Sequence, residues 1–361
     1  MINLILIINK KESKIINYIT IIYLCILFSG NYNNPDYYNY ENNYNNVLTL
    51  SSNSIFYKNK QYGFYFAMFL CKTVGLSYNQ FLFVIAIICL LLINNSLSIF
   101  IPSQKSAFYL LLLLFPFLLC IVQVRNFIVL SILIYSIKYL LLPDKHPYKY
   151  IIMILIAASF HTVAFVYLIF LLLPNLSKKN KFKYFWICLA VMSVLSMFIS
   201  SNLLSSFTNF VMNLLNTNDS ANTLSNRNNN QWISGVLFQT IIFMVMYVMN
   251  SYYDKQVEKL QHNLNEINSI YILCILCFCF MPLMKITTLF GRLIINMIPI
   301  YYIAFLEFEK YSIKTLKALL IKIAFIGTII LYFYWYLYRN YRIEIIYNVF
   351  KYNYGLYLFL K

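Results

Sequence analysis

The stretch Gln80–Ile101, QFLFVIAIICLLLINNSLSIFI, decides the fold class of this chain. It contains no charged residue and has about the 20 apolar residues that an α-helix needs to cross a bilayer. We predict crossings at Ile15–Ser29, Gln80–Ile101, Ala107–Val124, Phe127–Leu142, Tyr184–Ser200, Trp232–Asn250, Ile267–Met284, Leu293–Leu306 and Ala318–Tyr338. The pattern predicts an all-α fold: a polytopic transmembrane helical bundle of about ten spans, forming a single integral membrane domain over residues 1–361.

The composition excludes an ordinary soluble protein. Hydrophobic residues make up 61% and charged residues 11% of the 361 residues, and the mean hydropathy is +0.68. Soluble domains average about 25% charged residues. The formal net charge of +17 does not indicate nucleic acid, since the lysines lie in short loops between apolar runs. The sequence has no nucleotide-binding glycine loop and no metal-ligand spacing, so we expect no cofactor, no metal and no nucleic acid partner.

The lysine-rich loops predict the orientation of the helices, because positively charged loops stay in the cytoplasm. This rule places the N-terminus inside and nearly every span without conflict. The exception is Tyr150–Pro174, which has lysines on both sides but too few residues for two full spans. We therefore predict a re-entrant pair of half-helices that reverses around His161. Such irregular backbone is tolerated at membrane depth only where protein or a watery cavity surrounds it.

Two long polar segments, residues 31–61 and 201–231, are predicted to face the outer side. The first contains the run NNPDYYNY at positions 33–40, and the second is rich in asparagine. Between the first segment and the next span lies the short apolar stretch Tyr62–Leu76, which Lys72 interrupts. This stretch is expected either to lie in the interface or to enter the membrane only partway.

Every arginine falls on the predicted outer side, against the positive-inside trend. The guanidinium group has a planar fork of donors that grips phosphate or carboxylate. Arg125 and Arg292 each lie at the mouth of an apolar span, where a charge is usually paired or functional, so we predict that they bind substrate. Arg339 and Arg342 follow the last span and are expected to reach lipid phosphates. For Arg227, in an Asn-rich loop, both interpretations stay open.

Two further residues are candidates for catalysis. His161 lies within an apolar segment, where it is either a packing residue or a functional group at the predicted break. Asp36 follows Pro35 and is either a turn residue or a catalytic carboxylate. Arginine, histidine, carboxylate, tyrosine and asparagine together suit an anionic, lipid-carried, sugar-bearing substrate. Arginines would hold a diphosphate, and aromatic rings would stack on sugars.

Five short motifs follow one another along most of the chain. They are Pro35–Tyr40 with Tyr44, Gln61–Phe64, Arg125–Asn126, Phe160–Ala164 and Gly291–Arg292. In this order they resemble the motifs of the EpsG family of multispan exopolysaccharide proteins, which is related to the Wzy-type O-antigen and capsule repeat-unit polymerases. Two positions depart from the family pattern: Gln61 stands in place of a glutamate, and Asn126 stands in place of a glutamine.

The resemblance implies a membrane glycan polymerase at the outer face of the bacterial inner (cytoplasmic) membrane, with several passes. Such an enzyme joins polyprenyl-diphosphate-linked oligosaccharide repeat units without metal or nucleotide. The candidate site residues are His161 and Asp36 for catalysis, and Arg125, Arg292, Arg227, Asn126 and Tyr40 for substrate binding. The expected partners are the lipid-linked oligosaccharide, membrane lipid, a chain-length regulator and a flippase.

Two other functions stay open at this point. One is a membrane glycosyltransferase that uses a polyprenyl-phosphate sugar and a catalytic carboxylate such as Asp36. The other is a flippase or exporter of lipid-linked oligosaccharide, which would be expected to carry charges deep in several spans. The interior cations here are sparse and lie near span ends, as at Lys72, Lys138 and Lys322, so the flippase ranks last.

Overall fold

The computed structural model describes residues 14–48, 61–142, 145–175, 231–260, 270–274, 276, 291–312 and 315–355, with single positions at 183, 186, 187 and 190. The helices are α1 (Lys14–Ser29), α2 (Tyr37–Asn45), α3 (Tyr62–Thr73), α4 (Tyr78–Phe100), α5 (Lys105–Leu114), α6 (Phe117–Val122), α7 (Val124–Leu141), α8 (Pro147–Phe160), a 3₁₀ helix (Thr162–Asn175), α9 (Gln231–Leu260), α10 (Gly291–Tyr311) and α11 (Leu316–Tyr332). Helical turns then continue over Phe333–Tyr338, Arg339–Tyr341, Arg342–Tyr347 and Asn348–Lys351. These ranges contain no strand, so the predicted all-α fold is confirmed.

Within the described ranges, three helices are long and apolar enough to cross a membrane: Tyr78–Phe100, Val124–Leu141 and Leu316–Tyr338. Shorter apolar helices cover Lys14–Ser29, Lys105–Leu114, Pro147–Phe160 and Thr162–Leu173. These helices agree with a helical membrane protein, while the number of about ten spans stays a prediction. The predicted spans Tyr184–Ser200 and Ile267–Met284, and the outer segment 201–231, lie largely outside the described residues.

The chain divides into two compact units. The first unit comprises residues 1–137, 151–165 and 332–361, and the second comprises residues 138–150 and 166–331. In the second unit, Asn296 Nδ2 on α10 donates a hydrogen bond to Tyr167 Oη at 2.8 Å. Tyr301 Oη on the same helix donates to Gln239 Oε1 at 3.1 Å. All four side chains are buried, and each pairing avoids the cost of a buried polar group without a partner.

The first long helix, α4, has a capping box at its start. Gln80 N–H donates to Ser77 Oγ at 3.3 Å, and Ser77 N–H donates to Gln80 Oε1 at 2.8 Å. A cap of this kind stabilises a helix by about 1 kcal/mol. The helix therefore begins at Tyr78, slightly before the predicted start at Gln80.

Helices α1 and α4 run antiparallel in the first unit. Asn17 Nδ2 donates to Asn94 Oδ1 at 2.9 Å at one end, and Asn79 Nδ2 donates to the Ser29 carbonyl at 2.6 Å at the other. The end of α1 therefore meets the start of α4. Placement of Tyr62–Leu76, which includes α3, in the interface or partway into the membrane stays a prediction.

The predicted span Ala107–Val124 is interrupted in the structure. Helix α5 ends at Leu114 and α6 begins at Phe117, and the peptide between Phe115 and Pro116 is cis. Proline has no N–H for the helical ladder, so the α-helix ends before it. Two helices therefore occupy the range of this predicted span, a break that apolar content alone does not indicate.

The next helix, α7, begins at Val124 rather than at the predicted Phe127. The Phe127 N–H donates to the Gln123 carbonyl at 3.0 Å, which closes the first helical turn. Arg125 therefore lies inside the first turn of α7, whereas the sequence placed it in a turn between two spans. The charge of Arg125 suggested a loop, but the helix begins directly after Gln123.

The chain reverses around His161, as the predicted re-entrant pair requires, while the place of this pair in a membrane stays a prediction. Helix α8 ends at Phe160, and the 3₁₀ helix begins at Thr162. Tyr150 Oη on α8 donates to the Tyr167 carbonyl on the 3₁₀ helix at 2.7 Å, across 17 residues of sequence. In one straight α-helix these residues would lie about 25 Å apart, so the chain must reverse between them.

The last described residues, 348–355, fold back onto the end of α1, and we call them the C-terminal clasp. Asn353 Nδ2 donates to the Leu27 carbonyl at 2.9 Å, and Tyr354 N–H donates to the Gly30 carbonyl at 2.9 Å. A Cβ on Gly30 would lie 2.2 Å from Asn353 Oδ1, so only glycine permits this approach. The clasp and the first predicted outer segment therefore lie at the same end of the first unit, as the charge pattern predicts.

Candidate substrate-binding site

The candidate site is built around Arg125, which is half-buried in the first turn of α7. The first amides of a helix have no acceptor within the helix, and they give its N-terminus a partial positive charge. A cation at this position is therefore electrostatically unfavourable unless an anion or polar group compensates it. Arg125 at this position lowers the stability of the helix, but it can attract an anionic ligand.

Two side chains from distant parts of the sequence hold the Arg125 guanidinium. Its Nε donates to Tyr40 Oη on α2 at 3.0 Å, and its Nη1 donates to Gln61 Oε1 at the start of α3. The guanidinium carbon also lies 5.3 Å from the centre of the Tyr40 ring. These contacts fix the plane of the fork.

The guanidinium group of Arg125 keeps its positive charge and still has N–H groups that can donate hydrogen bonds. Tyr40 and Gln61 are neutral, and no described carboxylate pairs with Arg125, so the cation is not neutralised. No described residue accepts a hydrogen bond from Nη2. The arrangement can therefore offer oriented N–H donors to a phosphate or carboxylate group. The glutamine at position 61, which departs from the family pattern, supplies an acceptor to the arginine and adds no negative charge.

Helix α2 holds Tyr40 in place through contacts on both sides. The Tyr40 ring packs edge to face against buried Phe64 of α3, with ring centres 5.6 Å apart. One turn earlier, Tyr37 Oη lies 3.2 Å from Glu41 Oε1 and 2.8 Å from Asn79 Oδ1 of α4. Burial raises the pKa of the Tyr37 hydroxyl, and the Glu41 carboxylate raises it further, so this hydroxyl stays protonated at physiological pH.

Asp36 lies at the start of α2, one turn before Tyr40. Residues four apart share one face of a helix, so Asp36 and Tyr40 are on the same face of α2. The Asp36 carboxylate does not cap its own helix. The turn role that the sequence left open for Asp36 belongs to Asn34, whose Oδ1 accepts the Asp36 N–H at 3.1 Å. Catalysis by the Asp36 carboxylate stays a prediction.

His161 lies at the point where the chain reverses. Its N–H donates to the Ala157 carbonyl at 3.0 Å, and its Nδ1 accepts the Val163 N–H at 3.2 Å. The imidazole therefore caps the 3₁₀ helix. A nitrogen that accepts a hydrogen bond carries no proton, so the neutral ring has its proton on Nε2. This tautomer favours a hydrogen-bond donor over the predicted general base.

The reversal packs directly on the segment that holds Arg125. A Cβ on Gly63 would lie 2.3 Å from Ser159 Oγ, so the backbone of α3 touches the last turn of α8. His161 follows Ser159 by two residues. Four of the five sequence motifs, those around Asp36, Gln61, Arg125 and His161, therefore belong to one compact unit.

The other predicted substrate ligands lie elsewhere or outside the described residues. Asn126 is buried and its Nδ2 lies 3.4 Å from Gln123 Oε1, in the turn before α7. Arg292 is half-buried in the first turn of α10, in the second unit. Arg227 lies outside the described residues. Substrate binding by these three residues stays a prediction.

The structure adds groups that the sequence did not assign to the site. Gln61 holds Arg125, Phe64 supports Tyr40, and Gly63 admits the reversal at Ser159. The only signal for them in the sequence is their adjacency in one motif, Gln61–Phe64. Arg125 and Gln61 are 64 residues apart in the chain, so no repeating pattern in the sequence indicates that they form a hydrogen bond.

An asparagine variant separates the two functions of His161. His161→Asn keeps a side-chain acceptor for the Val163 N–H, because asparagine is a good helix cap, but it removes the Nε2 proton. We expect near wild-type thermal stability with about 100-fold less product, the low end of the effect of removing one preorganised hydrogen-bond donor. His161→Ala should lose activity and also about 1 kcal/mol of stability. Normal activity in His161→Asn would contradict a chemical role.

The family model described as "EpsG family" matches residues 4–354, nearly the whole chain. No curated protein and no solved structure matches the chain.

Proposed function

Since the chain belongs to the EpsG family, whose members are Wzy-type polymerase-like membrane proteins of polysaccharide biosynthesis, we propose that it joins lipid-linked oligosaccharide repeat units. The donor and the acceptor would both be polyprenyl-diphosphate-linked saccharides. The reaction would take place at the outer face of the bacterial inner membrane, which the protein would cross several times.

The observation that carries this proposal is the held guanidinium of Arg125. An unneutralised, oriented arginine at a helix N-terminus suits a diphosphate, because one anion can interact with both the positive charge and the N–H donors of the guanidinium. Diphosphate is the leaving group when a sugar is transferred from its lipid carrier. Stabilising the developing negative charge on that group would lower the barrier to transfer.

The remaining residues supply plausible chemistry for the transfer. An acceptor sugar hydroxyl attacks the anomeric carbon of the donor, a glycosidic C–O bond forms, and the bond to the lipid diphosphate breaks. The hydroxyl proton must go to a base, and Asp36 suits this role because it lies at the start of the helix that carries Tyr40, the partner of Arg125. His161 would donate its Nε2 proton as a hydrogen bond to substrate oxygen.

The function is tested in cells that lack the gene, with lipid-linked saccharides analysed by mass spectrometry and their sidedness by an impermeant glycosidase. We expect single repeat units facing outwards and no long polymer, restored by the wild-type gene. Repeat units that face the cytoplasm would instead identify a flippase. If Asp36→Asn abolishes product while Arg125→Lys does not, the protein is a transferase that uses a polyprenyl-phosphate sugar.

A further inference from the structure

Three tyrosines from opposite ends of the chain meet at the C-terminal clasp. The rings of Tyr32 and Tyr354 stack with centres 3.9 Å apart and planes inclined by 19°. The Tyr352 ring meets Tyr32 edge to face at 5.7 Å. We call Tyr32, Tyr352 and Tyr354 the tyrosine platform.

The backbone fixes the tyrosine platform on both sides of the stack. Tyr32 N–H donates to the Tyr352 carbonyl at 3.2 Å, and Tyr354 N–H donates to the Gly30 carbonyl at 2.9 Å. The side chain of Asn31 adds a donor to the Asn348 carbonyl at 3.3 Å. The rings are therefore held before any ligand arrives, which lowers the entropic cost of binding.

The tyrosine platform is nevertheless exposed. Tyr354 keeps 57% of its surface accessible, although one face of its ring rests on Tyr32. Other stacked rings of this unit, such as Tyr44 against Phe81 at 5.3 Å, are buried in the core. The stacked rings at the C-terminal clasp therefore leave aromatic surface exposed and do not belong to the hydrophobic core.

The tyrosine platform lies beside the helix that carries the arginine contact. Asn34 Nδ2 donates to Asn31 Oδ1 at 2.7 Å, and the Tyr37 N–H donates to the Asn34 carbonyl at 3.1 Å, so hydrogen bonds join the residue before Tyr32 to the start of α2. Tyr40, which accepts the hydrogen bond from Arg125, follows Tyr37 by three residues, or about one helical turn. The platform is thus connected to the helix that carries the Arg125 contact.

We propose that the tyrosine platform is a saccharide subsite, where the ring of Tyr354 stacks on a sugar of the lipid-linked oligosaccharide. This inference rests on the proposed function and adds to it the place where the glycan is held. The C–H face of a pyranose is flat and apolar, so it packs on a fixed aromatic plane. A tyrosine that only anchors the protein in the membrane interface needs neither a stacked partner nor a backbone clasp.

The test is saturation-transfer NMR on the purified full chain in detergent. The probe is a soluble oligosaccharide released by partial acid hydrolysis from the polysaccharide of the same cells, so it carries no lipid and no diphosphate. Tyr354→Leu keeps apolar bulk but removes the ring, and we expect binding about five- to tenfold weaker. Tyr354→Phe keeps the ring and should bind like the wild type. Neither change removes the backbone N–H that bonds to Gly30.

A second stacked pair provides the matched control. The ring centres of Tyr334 and Tyr338 lie 5.5 Å apart with planes inclined by 22°, and Tyr334 is 53% exposed, but both residues lie within the candidate spanning helix Leu316–Tyr338. Tyr334→Leu should leave saccharide binding unchanged. An equal loss in Tyr334→Leu, or wild-type binding in Tyr354→Leu, would overturn the subsite.

Different experimental results would overturn the saccharide subsite and the proposed function. Arg125→Lys should bind the soluble oligosaccharide like the wild type, because the probe has no diphosphate, even though it makes no polymer. If Tyr354→Leu weakens partitioning into anionic vesicles and leaves saccharide binding intact, the platform is a membrane anchor and the subsite is wrong. If the saccharide binds through Tyr354 but gene deletion leaves polymer unchanged, the polymerase assignment fails and the subsite stands.

Discussion

Arg125→Lys is expected to abolish polymer formation, with product reduced at least about 100-fold at unchanged protein level. Loss of one preorganised donor to a developing anion costs roughly this much in other enzymes. Lysine keeps the positive charge but has no planar fork, and after donating to Tyr40 and Gln61 its three N–H donors would leave one for a phosphate, where arginine leaves three. Gel analysis of the polysaccharide from complemented cells measures the effect.

Arg339→Lys is the matched control for this experiment. Arg339 also lies over an aromatic ring, 4.6 Å from the centre of Trp335, and we expect normal product from the lysine variant. Tyr40→Phe keeps the ring beside Arg125 and removes one acceptor, so it should lose about tenfold, as for one hydrogen bond to a charged group. Full-length polymer in Arg125→Lys would refute the role in diphosphate binding.

Gly63→Ala is expected to disable the protein almost as strongly, although it changes no charge. The added Cβ would lie 2.3 Å from Ser159 Oγ and 3.2 Å from the Ser159 carbonyl carbon. The Ser159 hydroxyl must therefore shift, and its backbone must give by a few tenths of an ångström, which costs about 1–3 kcal/mol of stability in an overpacked site. We expect a lower melting temperature in detergent and more than about tenfold less polymer, because the last turn of α8 leads directly into His161.

Two variants test whether this effect comes from contact with the reversal. Gly327→Ala, in α11, should be neutral, because nothing lies within 4 Å of its added Cβ. Ser159→Ala removes the nearest atom, so the double variant with Gly63→Ala should recover part of the stability and product. If Gly63→Ala has the melting temperature of the wild type and makes as much polymer, α3 does not position the chain reversal at His161.

The sequence predicted those parts of the structure that depend on composition and charge. Apolar length and lysine asymmetry predicted the helical membrane fold and the reversal at His161, because burial and membrane potential act on every residue of a segment. Single contacts were less accessible. The break at Pro116 and the start of α7 at Val124 depend on local backbone hydrogen bonds, and an apolar count does not contain them.

For the candidate site, the sequence predicted members but not pairings. Arg125 and Tyr40 were singled out by residue type and position, yet nothing in the sequence predicts that one donates to the other. The partner Gln61 and the contact at Gly63 follow from packing between helices that are distant in the chain. Such contacts depend on the three-dimensional arrangement of whole helices, which residue spacing does not determine.

The C-terminal clasp has a consequence for biogenesis. Asn353 bonds to Leu27, a partner made 326 residues earlier, so this contact at the end of α1 cannot form until residue 353 has been translated. Synthesis of α1 and its final packing are thus separated in time. A premature stop between Tyr338 and Asn348 would leave the preceding helices without this latch.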